Sequence, residues 1–366
     1  MVRLISRLSF ILICCSFLGY AADEQQLVPT IFGPQKTDHP IVYALLDSKP
    51  MQRIKNVDQS GALYYFGHVP AYSRYDHSVG VWALLKMFES SVGEQVTGVL
   101  HDASHTAFSH TGDYLFGHMS KTNSYAENQH SYQDKIHLKF LAEADLLEIL
   151  ACGGLSLRDV DPDNGSNLAL EQPLPDMCAD RIEYNLHTGL LFNKITAEEI
   201  QDVIKDLRFD GKKWFFIDTK SALKLANLSL DFTKDFWGSD WNMVFNYYFS
   251  QILEKAISLG LIKDKSVRFG TDMKIFNVLV SSKDPYIQAR MEACRAIRTP
   301  HTAFERISGD GSYDMYFKPK FRGIDPLVKV GTQLVRLSEL DPTFAQSYSD
   351  IKDYCEKGFK VTLSVK

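Results

Sequence analysis

The chain has 366 residues, 45% of them hydrophobic and 23% charged, which is ordinary globular composition with enough apolar material for a real core. Its formal net charge of −5 supplies no global basic field, so broad nucleic-acid binding is disfavoured. Beyond the first twenty residues the cysteines are Cys152, Cys178, Cys294 and Cys355, whose spacing matches no zinc-ribbon or Cys-x-x-Cys pattern. Paired cysteines and small buried hydrophobes both fit those positions.

The N-terminus reads "MVRLISRLSFILICCSFLGYAADEQQ". Two arginines, an apolar run from Leu8 to Leu18 and small residues at Gly19 and Ala21 form the layout of a secretory signal peptide over residues 1–21. The run is short for a bilayer-spanning helix, so export to a periplasm, out of the cell or into a secretory pathway is expected. The alternative is an uncleaved anchor.

Farther along, "HSVGVWALLKMFES" from His77 and "GEQVTGVLHDASH" from Gly93 carry apolar residues dense enough for buried helices. "HSYQDKIHLKFLAEADLLEILAC" places Ile136, Phe140, Leu141, Leu147 and Leu150 on a helical period, and "DPDNGSN" (161–167) is turn chemistry. "MCADRIEYNLHTGLLF" predicts another helix, with Gly189 near its end. In "LRFDGKKWFFI" a two-residue turn at Asp210-Gly211 predicts a hairpin. "NMVFNYYFSQILEKAISLG" is again helical. The tail predicts a few strands in "GSYDMYFKPKFRGIDPLV", a helix around "QSYSDIKDYCEKG" and a last strand in "KVTLSV". The expectation is a mainly α fold with a small β-containing C-terminal appendage, divided as a 22–260 core and a 261–366 mixed extension.

The densest chemistry lies in "HDASHTAFSH" (101–110). If residues 94–105 are helical, His101 and His105 share a face, with Asp102 on an adjacent flank. Imidazole beside carboxylate suits a divalent cation of borderline hardness, but a hydrolytic centre needs three or four protein ligands and an open position. His77, opening an apolar helix, and Asp180, an acid among core-like neighbours, are the candidates to complete it.

With these residues in view, the chain resembles the HD-domain metal-dependent phosphohydrolase superfamily, and within it the deoxynucleoside triphosphate triphosphohydrolases. "MQRIKNVDQSGALYYFGHVPAYSRYDHSVGV" is similar to that branch's Gln-Arg, Gln-x-Gly and Arg-x-x-His-Ser-x-Gly-Val segments. "HDASHTAFSHTGD" follows its His-Asp-x-x-His-x-x-Phe-Ser-His stretch. The likeness spans about residues 27–190.

It implies an HD-domain helical bundle. It also implies a divalent metal ion (Mn, Fe, Mg, Co, Ni or Zn) held by His77, His101, Asp102 and Asp180. Arg74 would contact phosphate, Gln59 the sugar end, and Tyr184 and Arg181 the phosphate side, while His105, His130 and Asp113 would surround the scissile phosphate. His130 or His105 would protonate the leaving oxygen, oriented by Asp113. His110 reads as structural, and His118, His137 and His187 as surface or satisfied core histidines.

The implied substrate is a nucleotide or related phosphoester, (d)NTP included. There is no strong nucleic-acid signal and no membrane span after leader removal, and homo-oligomerisation stays open. Asp235, Trp237 and Ser239 stand where the branch has a phosphate-gripping Arg, Tyr and His, and Ser131 follows His130 in place of a glutamate. Those departures motivate a second reading, a catalytically weakened nucleotide- or phosphate-binding regulatory module. Lys318, Lys320 and Arg322 of "KPKFRG" read as a solvated strand face. A third reading leaves the histidines to packing alone.

Overall fold

The computed structural model describes residues 27–116, 124–126 and 131–365. The leader expectation, His118 and His130 lie outside them. The chain is mainly α, and five helices position the site. The first, Arg74–Met87 (α1), begins on a capping box in which Ser73 Oγ accepts from Asp76 N at 3.0 Å and Asp76 Oδ2 accepts from Ser73 N at 3.3 Å. That box fixes the first turn, and with it Arg74 and His77. Val79, Val81, Trp82, Ala83, Leu84 and Leu85 are all buried, so α1 is surrounded rather than laid on a surface.

Val92–Leu100 (α2) and Ala179–Leu191 (α3) pack on either side of α1. Thr219–Phe232 (α4) continues into a π-helical turn, Thr233–Trp237, before Asp240–Ser258 (α5). Phe245, Tyr248, Phe249 and Ile252 of α5 sit in the core, and Gly260 at φ +70° ends that run as the sequence indicates.

The helix expected over 94–105 stops at Leu100, with His101 as its C-cap. The cause is distant in sequence: Arg53 Nη2 donates to Ala103 O at 2.9 Å and to His105 O at 2.7 Å, and Ala107 N donates to Val267 O at 2.8 Å. Those partners draw the chain out of the helix, and His101–His110 follows as turns. Phe108 and Ser109 both take left-handed backbone angles, φ +60° and +52°. Phe108 N donates to the buried Asp272 carboxylate at 2.7 Å, and Ser109 Oγ donates to Asp58 O at 2.5 Å. Gly61, itself at φ +63°, lies so close to the Phe108 carbonyl that any side chain there would collide with it.

Two smaller expectations change. The apolar run from 132 to 152 splits into Tyr132–Glu143 and Leu147–Cys152, with Asp145 at φ +59° between them. The hairpin pairs Leu207–Phe209 with Trp214–Phe216, but its loop is longer than the two residues expected. Asp210 N donates to Lys213 O at 3.2 Å, and Asp210 Oδ1 accepts from Lys212 N and Lys213 N.

Among the described residues the β structure forms a two-stranded pair, Leu27–Val28 with Gln35–Lys36, and two four-stranded sheets. In one, Ser124–Ala126 runs parallel to Met315–Lys318, which pairs with Phe359–Leu363 and then Phe304–Ile307. In the other the hairpin leads to Leu327–Val330, with Phe215 opposite Leu327, and ends on Gln333–Arg336. Each four-stranded sheet therefore draws strands from both sides of residue 260. Among the described residues no helix is long and apolar enough to cross a membrane.

Candidate metal centre

His77 comes from the first turn of α1, His101 and Asp102 from the turn after α2, and Asp180 from the first turn of α3. His77 Nε2 lies 2.9 Å from Asp180 Oδ1 and 3.2 Å from His101 Nε2, and His101 Nε2 lies 3.7 Å from Asp180 Oδ1. Asp102 offers Oδ1 at 3.7 Å from His101 Nε2 and Oδ2 at 3.8 Å from His77 Nε2. Ligand atoms at about 2.0–2.2 Å from one ion stand roughly 3–3.5 Å apart, so His77, His101 and Asp180, whose ligand atoms all lie within 4.8 Å of one another, form a group that could hold a divalent cation, with Asp102 beside it and its Oδ2 held by Arg74. The side chain of His77 is 1% exposed and that of Asp180 24%, so the cluster opens toward solvent on the Asp180 side.

Both imidazoles are oriented from behind. His101 Nδ1 faces Gly98 O at 2.8 Å and His77 Nδ1 faces Glu183 Oε2 at 2.5 Å, leaving Nε2 of each toward the centre. Glu183 is fully buried, and it also accepts from Tyr72 Oη at 2.5 Å and pairs with His187 Nδ1 at 2.8 Å. His187, expected to be an ordinary surface or core histidine, belongs to this buried network. Gly80 makes room for it, because a methyl group there would overlap the Glu183 carboxylate. Sequence reasoning passed over Glu183; its signal is the i,i+3 spacing from Asp180 in "CADRIEYN".

The charges couple tightly. Burial pushes the His77 imidazole down, but the Glu183, Asp180 and Asp102 carboxylates outweigh it and hold its pKa up to about 10. Burial would raise Asp180, yet His101 and His77 hold it well below the carboxylate range. Asp102 is likewise depressed against burial, chiefly by Arg74, whose Nη1 donates to Asp102 Oδ2 at 2.8 Å. Arg74 also donates to Ser109 Oγ at 3.0 Å and Gln59 O at 3.4 Å and is almost wholly buried, so its evident task is to hold Asp102 in place.

A cavity of about 930 Å³ opens over the cluster, and Gln59, Arg74, His105, His110, Asp113, Arg181 and Tyr184 all line it. Gln59 Oε1 is buried and takes no hydrogen bond among the described residues. The Tyr184 ring lies 6.5 Å from that of His77 and edge-on to Trp237 at 5.1 Å. Arg181 is largely occupied, bridging Gln172 O, Asp176 O and Glu171 Oε1. A second acidic group, Glu171–Cys178–Asp180, shares Asp180 with the main cluster, but Glu171 already pairs with Arg181 at 2.8 Å.

Several expectations change here. His105 Nε2 lies 3.3 Å from Asp102 Oδ1, and burial together with Arg74 pushes its pKa down to about 3. It is neutral near pH 7 and unsuited to donate a proton there. Asp113 pairs instead with His110, Oδ2 to Nδ1 at 2.9 Å, while its other oxygen accepts from Tyr132 N at 2.6 Å. His110, expected to be structural, stands 44% exposed in the cavity, its ring 5.2 Å from that of His105. The missed signal is the His-x-x-Asp spacing of "HTGD".

Asp235 is exposed and absent from the cavity lining, and Ser239 caps α5, so neither occupies a phosphate clamp. Trp237 does line the cavity, turned there by the π-helical turn. Lys320 and Arg322 are half-buried in the cavity wall, not on a solvated strand face; only Lys318 is exposed.

No protein-family model matches the chain. It is similar to the uncharacterized protein YdhJ of Bacillus subtilis, 28% identical over 84% of this chain and 90% of the relative. It is also similar to the metal-dependent phosphohydrolase cns2 of Cordyceps militaris, 26% identical over 81% of this chain and 82% of the relative. The human deoxynucleoside triphosphate triphosphohydrolase SAMHD1 matches at 29% identity over 21% of this chain and 15% of its own length. A solved structure of a hypothetical protein from Aquifex aeolicus shares the fold, with a TM-score of 0.59 at 15% identity over 90% of this chain and 99% of that one.

Proposed function

The chain belongs to the HD-domain metal-dependent phosphohydrolase superfamily and uses a divalent cation, and from that premise we propose that it cleaves a phosphoester of a nucleotide or related small molecule at the His77–His101–Asp102–Asp180 centre. The observation that carries this reading is the approach of four metal-donor side chains to within 3.8 Å of His77 or His101 Nε2 at the floor of the cavity.

When bound there, a divalent cation supplies an activated water at neutral pH and neutralises phosphoryl charge. The chain's own residues do the rest. Glu183 and Gly98 O present the two Nε2 atoms, and Arg74 keeps Asp102 ionised and oriented. His105, held neutral, stays available as a hydrogen-bonding partner beside Asp102. His110, open to the cavity and steadied through Nδ1 by Asp113, is placed to give its Nε2 proton to the leaving oxygen. Tyr184 and Trp237 supply an aromatic wall and Gln59 a polar group for the rest of the substrate. The relatives named as phosphohydrolases favour turnover over the regulatory-module reading.

The test is release of phosphate or pyrophosphate from a panel of nucleotides and phosphoesters with Mn²⁺, Fe²⁺, Mg²⁺, Co²⁺, Ni²⁺ or Zn²⁺. Turnover lost in both His101→Ala and Asp102→Ala supports the assignment. Turnover unchanged in both removes this centre as the seat of the reaction.

A further inference from the structure

Asn242 stands in the first turn of α5, only 6% exposed, and lines the same cavity as the metal centre. Ser239 ties it to an aromatic wall: Ser239 Oγ donates to Phe236 O at 2.7 Å and accepts from Asn242 N at 3.4 Å. Phe236 and Trp237 line the cavity with it. The Trp237 ring lies 5.1 Å from that of Tyr184, which in turn lies 6.5 Å from that of His77. The wall therefore leads from the metal centre toward Asn242.

The direction of the Asn242 amide is settled by its neighbours. Asn246 Nδ2 lies 3.1 Å from Asn242 O, a carbonyl that can only accept, and 2.7 Å from Asn242 Oδ1. Thr111 Oγ1 donates to Asn246 Oδ1 at 2.9 Å and so holds the other end of that amide. With Asn246 Nδ2 as the donor, the Asn242 atom that faces it must be the oxygen. The Asn242 Nδ2 group then carries its two N–H bonds away from Asn246, and it makes no hydrogen bond among the described residues. A buried amide held at its oxygen and unpaired at its nitrogen is a donor left for a ligand.

We propose that Asn242 Nδ2 donates to an exocyclic carbonyl of the substrate's base, so that the site selects a base carrying a carbonyl over one carrying an amino group there. With its oxygen spent on Asn246, the amide offers donors alone. An amino group in the same place sets donor against donor and leaves both unpaired. Phe236 and Trp237 supply the flat apolar surface that such a ring packs against. The proposal rests on the phosphohydrolase reading for the place of the phosphate, but it concerns binding and is tested without turnover.

The experiment is calorimetric binding of the uncleavable methylenephosphonate analogues of IMP and AMP to the full chain in saturating Mn²⁺, with inorganic phosphate as the control ligand. The wild type is expected to bind the IMP analogue about tenfold more tightly than the AMP analogue. Asn242→Asp keeps the volume and the oxygen that Asn246 requires, but it turns the donor into an acceptor. The preference is then expected to be lost or reversed, with phosphate affinity little changed, and a damaged fold would weaken all three ligands alike. Equal affinities in the wild type, binding of neither analogue, or an IMP preference that survives Asn242→Asp overturns the proposal. Failure of the phosphohydrolase reading looks different: no phosphate is released from any substrate, whatever the binding preference.

Discussion

Glu183 Oε2 lies 2.5 Å from His77 Nδ1, on the opposite side of the ring from the Nε2 that faces Asp180 at 2.9 Å. Glu183 and Asp180 are one helical turn apart on α3, so that helix both supplies a donor and orients the histidine opposite it. Although burial alone would raise the Glu183 carboxyl, His187 and His77 hold it below its ordinary value and so ionised.

Glu183→Gln keeps the volume and removes the charge. Metal affinity is expected to fall about 10–100-fold, as is usual when the partner behind a metal-binding histidine is lost. Titration of the apo chain with Mn²⁺ reads this directly, with circular dichroism confirming the fold. Unchanged affinity in a folded variant contradicts the orienting role.

For the His110–Asp113 pair, the expected effect depends on the leaving group. His110→Ala should lower kcat by about 10²–10⁴-fold on a phosphoester whose leaving alcohol needs a proton. On p-nitrophenyl phosphate, whose leaving group departs as the anion, the loss should be much smaller. Asp113→Asn should show the same selectivity in weaker form. A uniform loss on both substrates would place His110 in binding or folding instead of proton transfer.

Much of the site was legible in the sequence because its residue types sit in short, ordered motifs. His77, His101, Asp102 and Asp180 could be picked out as candidates, although Asp180 is separated from His77 by about a hundred residues. The backbone around His101 was not legible, because its path is set by Arg53 and Val267, which a local window does not contain. A periodic apolar run up to Leu100 gave no sign that the carbonyls of Ala103 and His105 would be taken from outside. The His110–Asp113 pairing and the cavity-facing turn of Lys320 and Arg322 were hidden for the same reason. Each depends on how distant elements pack, and Pro319 and Phe321 look like unremarkable residues until Gly238 and Tyr348 are placed beside them.

Asp58 and Asp272, beneath the His101–His110 loop, give a pH prediction for stability. Burial pushes both carboxyls up to about 7, against the backbone N–H groups that they accept from and against Arg74 or Arg53. Their folded-state values exceed the unfolded ones, so between about pH 4 and 7 the folded chain binds more protons than the unfolded chain. Their contribution is fully present below the unfolded value and is lost as pH rises through the folded one. Relative to Asp272→Asn, wild-type unfolding free energy should therefore decline from about pH 4 to about pH 7 and then level. A difference constant across that window contradicts the assignment.

The most direct test of the central claim is an anomalous-diffraction map of the protein crystallised with Mn²⁺. One dominant peak is expected about 2.0–2.3 Å from His77 Nε2, His101 Nε2 and one oxygen each of Asp102 and Asp180, with the peak lost in Asp180→Ala. No peak at that position, or a peak from which any of the four side chains is turned away, contradicts it.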